Sequence, residues 1–178
     1  MQKNLKILYA VNGTGWGHIS KAKALIPYLR KFAEVDVLIS GKMQEIDFVD
    51  KQLISLKGFR FYYSKGSVNV LKTILHLDFI QFFKDLIFLN VKQYTFIISD
   101  FEPISAWSCF FKRKTCIQVG HQASFCSKKT PRPKKSFFWG DLFLKIYAYS
   151  KYYIGIHFDN YDKQIYPPLL REEIILSK

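Results

Sequence analysis

The order of apolar and glycine-rich segments over residues 5–39 constrains the fold more than any other feature of the sequence. Residues 5–11 are a short β-rich run that stops at a glycine-rich turn. The apolar residues that follow recur at steps of three and four, which predicts one buried face of a helix over residues 18–32. A second β-rich run covers residues 35–39. A strand, a helix and a strand within about 30 residues form a βαβ unit with parallel strands.

The same alternation of strand and helix patterns continues along the chain. The predicted strands lie at residues 59–63, 95–99, 115–119 and 153–156, and the predicted helices at 68–90, 103–111 and 137–149. Pro103 stands at the favoured first position of its helix. Repeated alternation of this kind predicts an α/β fold, a Rossmann-like three-layer domain with a mostly parallel sheet.

The turn between the first strand and the first helix reads Gly-Thr-Gly-Trp-Gly-His over residues 13–18. Glycines allow backbone N–H groups to approach an anion, and a helix N-terminus favours negative charge. The candidate phosphate-binding residues are therefore Gly13, Thr14, Gly15 and Gly17. A dinucleotide fingerprint would have glycine at position 18 and an acidic residue after the second strand, and a Walker loop would have Gly-Lys-Ser/Thr. Neither is present, which disfavours NAD and ATP. A tight turn without a ligand is the alternative.

Two side chains near predicted strand ends are candidates for proton transfer. His18 begins the first helix, and Asp100 follows the strand at 95–99. Parallel strands bring their carboxyl ends to one edge of a sheet, so we expect the two side chains to converge there. A carboxylate can orient a histidine and stabilise its charged form. Glu102, just beyond the same strand, is a candidate for substrate binding. The alternatives are that His18 only caps or packs, and that Asp100 or Glu102 only caps the following helix.

Further polar side chains, His121 and Gln122, follow the strand at 115–119. The parallel sheet would bring them to the same edge as His18, which makes them candidates for substrate binding. A loop histidine without a function is the alternative reading.

The chain carries 27 Lys and Arg residues against 14 Asp and Glu, a net charge of +13 that favours anionic partners. Its most basic loop contains Lys128, Lys129, Arg132, Lys134 and Lys135. This loop precedes two phenylalanines and a tryptophan at 137–139, so it is a candidate contact with an anionic membrane. Solvated surface charge is the alternative. No nucleic-acid-binding motif is present, and nucleic acid is not an expected partner.

Cysteine usage and hydropathy bear on location. Three cysteines without a CxxC pair fit a reducing cytosol and predict neither a disulfide framework nor a metal site. The most apolar stretch, residues 68–91, is interrupted by four charged residues and is not predicted to span a membrane. We expect a cytoplasmic protein, either free or peripheral on the inner face of the membrane.

The glycine-rich loop, the segment around Asp100 and the stretch 166–174 resemble the GT-B glycosyltransferases. The loop is similar to the GGTGGH loop of the MurG-like enzymes and to the Gly-His turn of the macrolide and plant UDP-glycosyltransferases. In the macrolide and plant branch, the histidine of this turn is the base and an Asp after a later strand is its partner. The resemblance thereby implies these roles for His18 and Asp100. In the MurG-like branch the loop faces the diphosphate of a lipid-linked acceptor.

The resemblance implies that residues 1–164 are the acceptor-binding N-terminal half of a GT-B enzyme and that residues 165–178 begin the interdomain connector. The donor-binding domain would be absent, so the chain would be incomplete or need a partner chain, and would be inactive alone. The implied reaction transfers a hexosyl group from a nucleotide sugar, UDP-linked, to an acceptor hydroxyl, without a cofactor or metal. The alternatives are half of a sugar-nucleotide epimerase and a non-catalytic anion- or membrane-binding accessory module.

Overall fold

The structure is a computed structural model that describes residues 5–41, 53–59, 63–64, 67–68, 78–132 and 138–169. The strands are β1 (Lys6–Asn12), β2 (Glu34–Ser40), β3 (Leu53–Leu56), β4 (Tyr63–Ser64), β5 (Ser67–Val68), β6 (Phe96–Asp100), β7 (Cys116–Gly120), β8 (Tyr152–Ile156) and β9 (Ile165–Tyr166). The helices are α1 (Trp16–Arg30), α2 (Phe79–Phe88), α3 (Pro103–Phe111), α4 (His121–Ser124) and α5 (Phe138–Tyr147), with a 3₁₀ turn at Val91–Gln93.

Seven strands form one sheet in the order β3-β2-β1-β6-β7-β8-β9, and every pairing in it is parallel. A separate antiparallel hairpin pairs β4 with β5. The chain builds the sheet outward from β1 to β3 and then returns to the other side of β1 with β6. The strand order reverses at this point, and doubly wound sheets bind ligands beside such a reversal, at the carboxyl ends of the strands. The predicted α/β fold is confirmed.

The core lies on both faces of the sheet, because successive residues of β1 point to opposite sides. On one face Ile7, Tyr9 and Val11 pack in a cluster with the buried residues of α1. On the other face Leu8 and Ala10 pack in a cluster with the buried residues of α3. This arrangement has three layers, helix–sheet–helix, and it fixes the start of α1 directly above the end of β1.

The first helix, the strand before Asp100 and the helix from Pro103 to Phe111 lie within two residues of their predicted positions. Residues 60–62 of the strand predicted at 59–63 lie outside the described residues, and Tyr63 belongs to the hairpin strand β4. The third strand of the sheet, Leu53–Leu56, pairs with β2 and was not predicted. Its pattern was weak because this edge strand is only half-buried. A further strand, β9, was not predicted. It brings the first two residues of the predicted connector, residues 165–166, into the sheet. Residues 69–77 of the predicted helix at 68–90 lie outside the described residues.

Candidate functional site

A cleft of about 490 Å³ opens at the carboxyl edge of the sheet, beside the reversal of strand order. β1 and β6 are neighbours there, and Val11 is in register with Asp100. The start of α1 forms one side of the cleft and the start of α4 another. The residues that line it are Gly15, Gly17, His18, Ser20, Lys21, His121, Gln122, Ile156, Pro168 and Leu169. Five sequence-predicted site residues therefore share one cavity: Gly15, Gly17, His18, His121 and Gln122.

His18 and Asp100 are in contact. The distance from His18 Nδ1 to Asp100 Oδ1 is 2.8 Å. The His18 side chain is 16% exposed, and that of Asp100 is fully buried. The ring of Phe101 stacks on the imidazole with its centroid 6.4 Å away. Phe101 has a φ of 54°, a left-handed conformation that costs energy for a non-glycine residue and is common at functional sites. The expected convergence of His18 and Asp100 is confirmed.

A lysine that the sequence analysis did not identify completes this contact. Lys21 Nζ lies 2.7 Å from the same oxygen, Asp100 Oδ1. Lys21 is three residues after His18, and residues at this spacing share one face of a helix. Both side chains of α1 therefore reach the end of β6 together.

The hydrogen bond fixes the tautomer of His18. An ionised carboxylate can only accept hydrogen bonds, and Asp100 is the ion-pair partner of the Lys21 ammonium. Nδ1 of His18 is consequently the protonated ring nitrogen, and its N–H donates the hydrogen bond to Asp100. The lone pair of a neutral ring then lies on Nε2, which can accept a proton.

Asn12, at the end of β1, holds the first half of the glycine-rich loop. Its Oδ1 accepts hydrogen bonds from the backbone N–H and the hydroxyl of Thr14, and its Nδ2 donates to Phe101 O and to Tyr147 Oη. The N–H of Gly13 donates to Ser40 O at 2.7 Å. The N–H groups of Gly13 and Thr14 are thus already bonded within the protein. This half of the loop is held by contacts within the domain, and phosphate binding by Gly13 and Thr14 stays a prediction.

The second half of the loop is open to the cleft. Gly15 is the N-cap of α1, and as glycine it supplies no side-chain acceptor to the first turn. The first N–H groups of a helix have no acceptor within the helix, so those of Trp16, Gly17 and His18 are available to an anion. A Cβ added at Gly17 would meet no atom within 4 Å, which shows that this position faces open space.

Gly120, the last residue of β7, allows Lys21 to reach Asp100. Its φ is +141°, a conformation that favours glycine. A Cβ at this position would collide with Lys21 Nζ and would lie 3.1 Å from Asp100 Oδ1. Only a residue without a side chain fits here while the ion pair remains in place.

Glu102 does not face the cleft. Its side chain is fully buried and caps α3, accepting hydrogen bonds from the N–H groups of Ile104 at 3.0 Å and Ser105 at 2.6 Å. Burial raises the pKa of Glu102, while the hydrogen bonds from Ser105, Ser40 and Ile104 act in the opposite direction. Both carboxylate oxygens thus cap the helix N-terminus, and a substrate-binding role for Glu102 stays a prediction.

His121 and Gln122 begin α4, opposite the start of α1. The ring of His121 is exposed, with Nδ1 3.3 Å from Ile156 O and its centroid 5.2 Å from that of His157. Neither side chain touches the His18–Asp100 pair through a hydrogen bond between the described residues. Their binding role stays a prediction.

Part of the basic loop is held by hydrogen bonds within the protein. Arg132 donates to the carbonyls of Phe125, Ser127 and Thr130 and to the carboxylate of Asp141. The guanidinium of Arg132 thereby holds this loop together, and its contact with an external anion stays a prediction.

The other basic residues of the loop differ in their surroundings. Lys129 pairs with Asp162 at 3.3 Å, and Lys128 is exposed. Lys134 and Lys135 lie outside the described residues. Across the part of the chain that the structure describes, no three His, Cys, Asp or Glu side chains form a group that could hold a metal ion.

Among curated protein sequences, none matches the chain significantly. MurG from Acinetobacter baumannii superposes with a TM-score of 0.50 at 11% sequence identity, over 95% of this chain and 44% of MurG. A UDP-N-acetylglucosamine 2-epimerase superposes with a TM-score of 0.48 at 15% identity, over 86% of this chain and 42% of the epimerase.

At these identities the likeness concerns the fold, and the chain spans less than half the length of either solved protein. A family described as glycosyl transferase family 1 matches residues 5–178. Because this match covers nearly the whole sequence, the chain belongs to glycosyl transferase family 1.

Proposed function

We propose that this chain is the acceptor-side half of a glycosyltransferase that transfers a hexosyl group from a nucleotide sugar to an acceptor hydroxyl. The observation that carries this proposal is the hydrogen bond of 2.8 Å between His18 and the buried Asp100, at the wall of a cleft. The family match supports glycosyl transfer in general.

The chemical step follows from the tautomer of His18. Nε2 takes the proton of the acceptor hydroxyl while the acceptor oxygen bonds to the anomeric carbon of the sugar. The bond from that carbon to the leaving phosphate oxygen breaks, and its electron pair departs with the nucleotide diphosphate. Asp100 orients the ring through Nδ1 and stabilises the imidazolium that forms. His18 is the catalytic residue, and Asp100 is a positioning residue.

The start of α1 is the proposed binding place for phosphate of the acceptor. Its first N–H groups face the cleft, no acidic residue stands in its first turn, and its N-cap supplies no side-chain acceptor. The partial positive charge of a helix N-terminus adds to these donors. The donor nucleotide sugar, which we take to be UDP-linked, would be held by a further domain or subunit of the donor-binding type.

Trp16 offers a selective test of phosphate binding. It is the first residue of α1, where proline is tolerated, and the preceding Gly15 has the extended conformation that a following proline requires. Trp16→Pro therefore removes one N–H donor with little expected disturbance of the helix. Trp16→Ala is the matched control, since it keeps this N–H and removes only an indole that is 69% exposed.

The measurement is titration of the ¹⁵N-labelled chain with inorganic pyrophosphate, followed by amide chemical shifts. We expect saturable shifts of Trp16, Gly17 and His18, and roughly tenfold weaker binding in Trp16→Pro, because a hydrogen bond to a charged group contributes about 1.5–3 kcal/mol. Trp16→Ala should bind as the unchanged chain does. Equal affinity of all three proteins, or shifts confined to other surfaces, would contradict phosphate binding by α1.

A membrane surface is the proposed second contact, and a second group of exposed residues, in addition to the basic loop, is a candidate for it. Ile87 and Phe88 at the end of α2 and Phe110 and Phe111 at the end of α3 are large apolar residues exposed to solvent. The two helix ends lie together, since Lys112 Nζ donates to three carbonyls at the end of α2. None of the helices within the described residues is both long and apolar enough to cross a membrane.

Charge supports the assignment of this face to an anionic bilayer. Arg113, which is exposed, and Lys114 follow the two exposed phenylalanines of α3, separated from them only by the internally bonded Lys112. Aromatic rings beside basic side chains suit the boundary between lipid headgroups and acyl chains. We name the surface formed by residues 87–88 and 110–114 the aromatic–basic face.

The double substitution Phe110→Ser with Phe111→Ser should weaken binding to anionic vesicles at least tenfold. Burial of one large apolar side chain contributes about 1.5–3 kcal/mol, and each nearby basic residue about 1 kcal/mol. Co-sedimentation with vesicles of phosphatidylglycerol and phosphatidylcholine measures it, and pure phosphatidylcholine should bind the protein less. Phe158→Ser, at a side chain that is 85% exposed on the opposite edge of the sheet, is the matched control. Undiminished binding of the double variant would contradict the proposed face.

A further inference from the structure

Lys21 and His18 compete for one oxygen of a buried carboxylate. Lys21 Nζ and His18 Nδ1 lie 2.7 and 2.8 Å from Asp100 Oδ1. The Asp100 side chain is fully buried, and that of Lys21 is only 14% exposed. The second oxygen, Oδ2, accepts no hydrogen bond from the described residues. The two nitrogen atoms that can carry a positive charge therefore both contact the same oxygen atom of Asp100.

A buried carboxylate requires a positive charge beside it, since an unpaired charge away from water is costly. Here two groups could supply that charge: the ammonium of Lys21 or a protonated ring of His18. The ammonium of Lys21 already stands beside Asp100 as its ion-pair partner. A proton added to His18 would then create two cations on one carboxylate, and the like charges would repel each other.

The other groups that face this pair do not supply the balancing charge. Tyr9, on β1, is buried, and burial together with the charge of Asp100 raises its pKa well above the usual value, so its phenol stays neutral. From β7, Gly120 contributes no side chain. His121, from α4, lines the cleft but makes no hydrogen bond to Asp100 among the described residues.

We propose that Lys21 is a positioning residue that keeps His18 unprotonated, and thereby able to act as a base, by neutralising Asp100. The inference rests on the proposed function for its biological meaning. Without Lys21, Asp100 would take its counter-charge from the imidazole, and a protonated His18 cannot accept the proton of an acceptor hydroxyl. The lysine thus sets the charge state of a ring to which it is not bonded.

The test is an NMR titration of the histidine rings in the chain alone, over about pH 4 to 9, with three variants. In Lys21→Met the midpoint of the His18 titration should rise by about one pH unit or more, because an adjacent opposite charge then acts on the ring without competition. Lys21→Gln keeps a hydrogen-bond donor without a charge and should give the same rise. Lys21→Arg keeps the charge and should stay near the unchanged protein. The midpoint of His157, which does not line the cleft, is the internal reference and should move far less than that of His18.

Each outcome of the titration either supports or overturns the role of Lys21. A purely structural lysine would leave the His18 midpoint unchanged in Lys21→Met and Lys21→Gln while the folding stability fell, and this result would overturn the inference. If Lys21→Met is unfolded, Lys21→Gln and Lys21→Arg still compare the same side-chain position with and without charge. The titration needs no substrate, so it can succeed although glycosyl transfer fails, and failure of either proposal is recognised separately.

Discussion

His18→Ala is expected to lower kcat by about 10²–10⁴-fold once the chain acts together with a donor-binding domain, because a positioned general base contributes a factor of this size. The effect should fall on kcat more than on the KM for the acceptor, since the proton is transferred only in the transition state. Initial rates at varied acceptor concentration, with the donor saturating, measure both constants.

His121→Ala is the matched control for this experiment. It removes an imidazole from the same cleft that has no hydrogen bond to Asp100 among the described residues. We expect a smaller loss, mainly in KM. A His18→Ala variant that retains its kcat and needs more acceptor would assign His18 to binding and leave the reaction without the proposed base.

Asp100→Ala is expected to lower the free energy of unfolding by about 3–5 kcal/mol, because it leaves the nearly buried ammonium of Lys21 without its partner. Chemical denaturation of the chain alone, monitored by tryptophan fluorescence and circular dichroism, measures the change. This test does not depend on any substrate.

The double substitution Asp100→Leu with Lys21→Met distinguishes the unpaired charge from a loss of packing. Replacing both partners of a buried ion pair by apolar residues is often neutral or stabilising. We therefore expect the double variant to recover most of the stability lost in Asp100→Ala. If it is as unstable as the single variant, the loss comes from packing at the end of β6 and not from the charge of Lys21.

The meeting of His18 and Asp100 could be predicted because both residues follow neighbouring parallel strands. The register of the two strands brings the residues together, since Val11 of β1 pairs with Asp100 of β6. Lys21 was missed because one lysine on a helix resembles any solvated lysine, although its spacing from His18 placed it on the same face. Only the three-dimensional structure shows that the absent side chain of Gly120 makes room for it.

The separate roles of Asp100 and Glu102 were left open by the sequence. A signal was nevertheless present, because proline at the first position of a helix makes the preceding residue the N-cap, and Glu102 precedes Pro103. Arg132 had no comparable signal. Its partners are three backbone carbonyls, and carbonyls carry no sequence information until the loop has its conformation.

The short last strand, β9, determines where part of the wall of the cleft lies. β9 adds to the sheet beside β8, and the residues directly after it, Pro168 and Leu169, are part of the wall that faces His18. At Pro168 and Leu169 the chain therefore leaves the sheet and lines the cavity. Substitutions at Pro168 or Leu169 therefore change the wall of the cleft beside His18 while the pairing of β8 with β9 is kept.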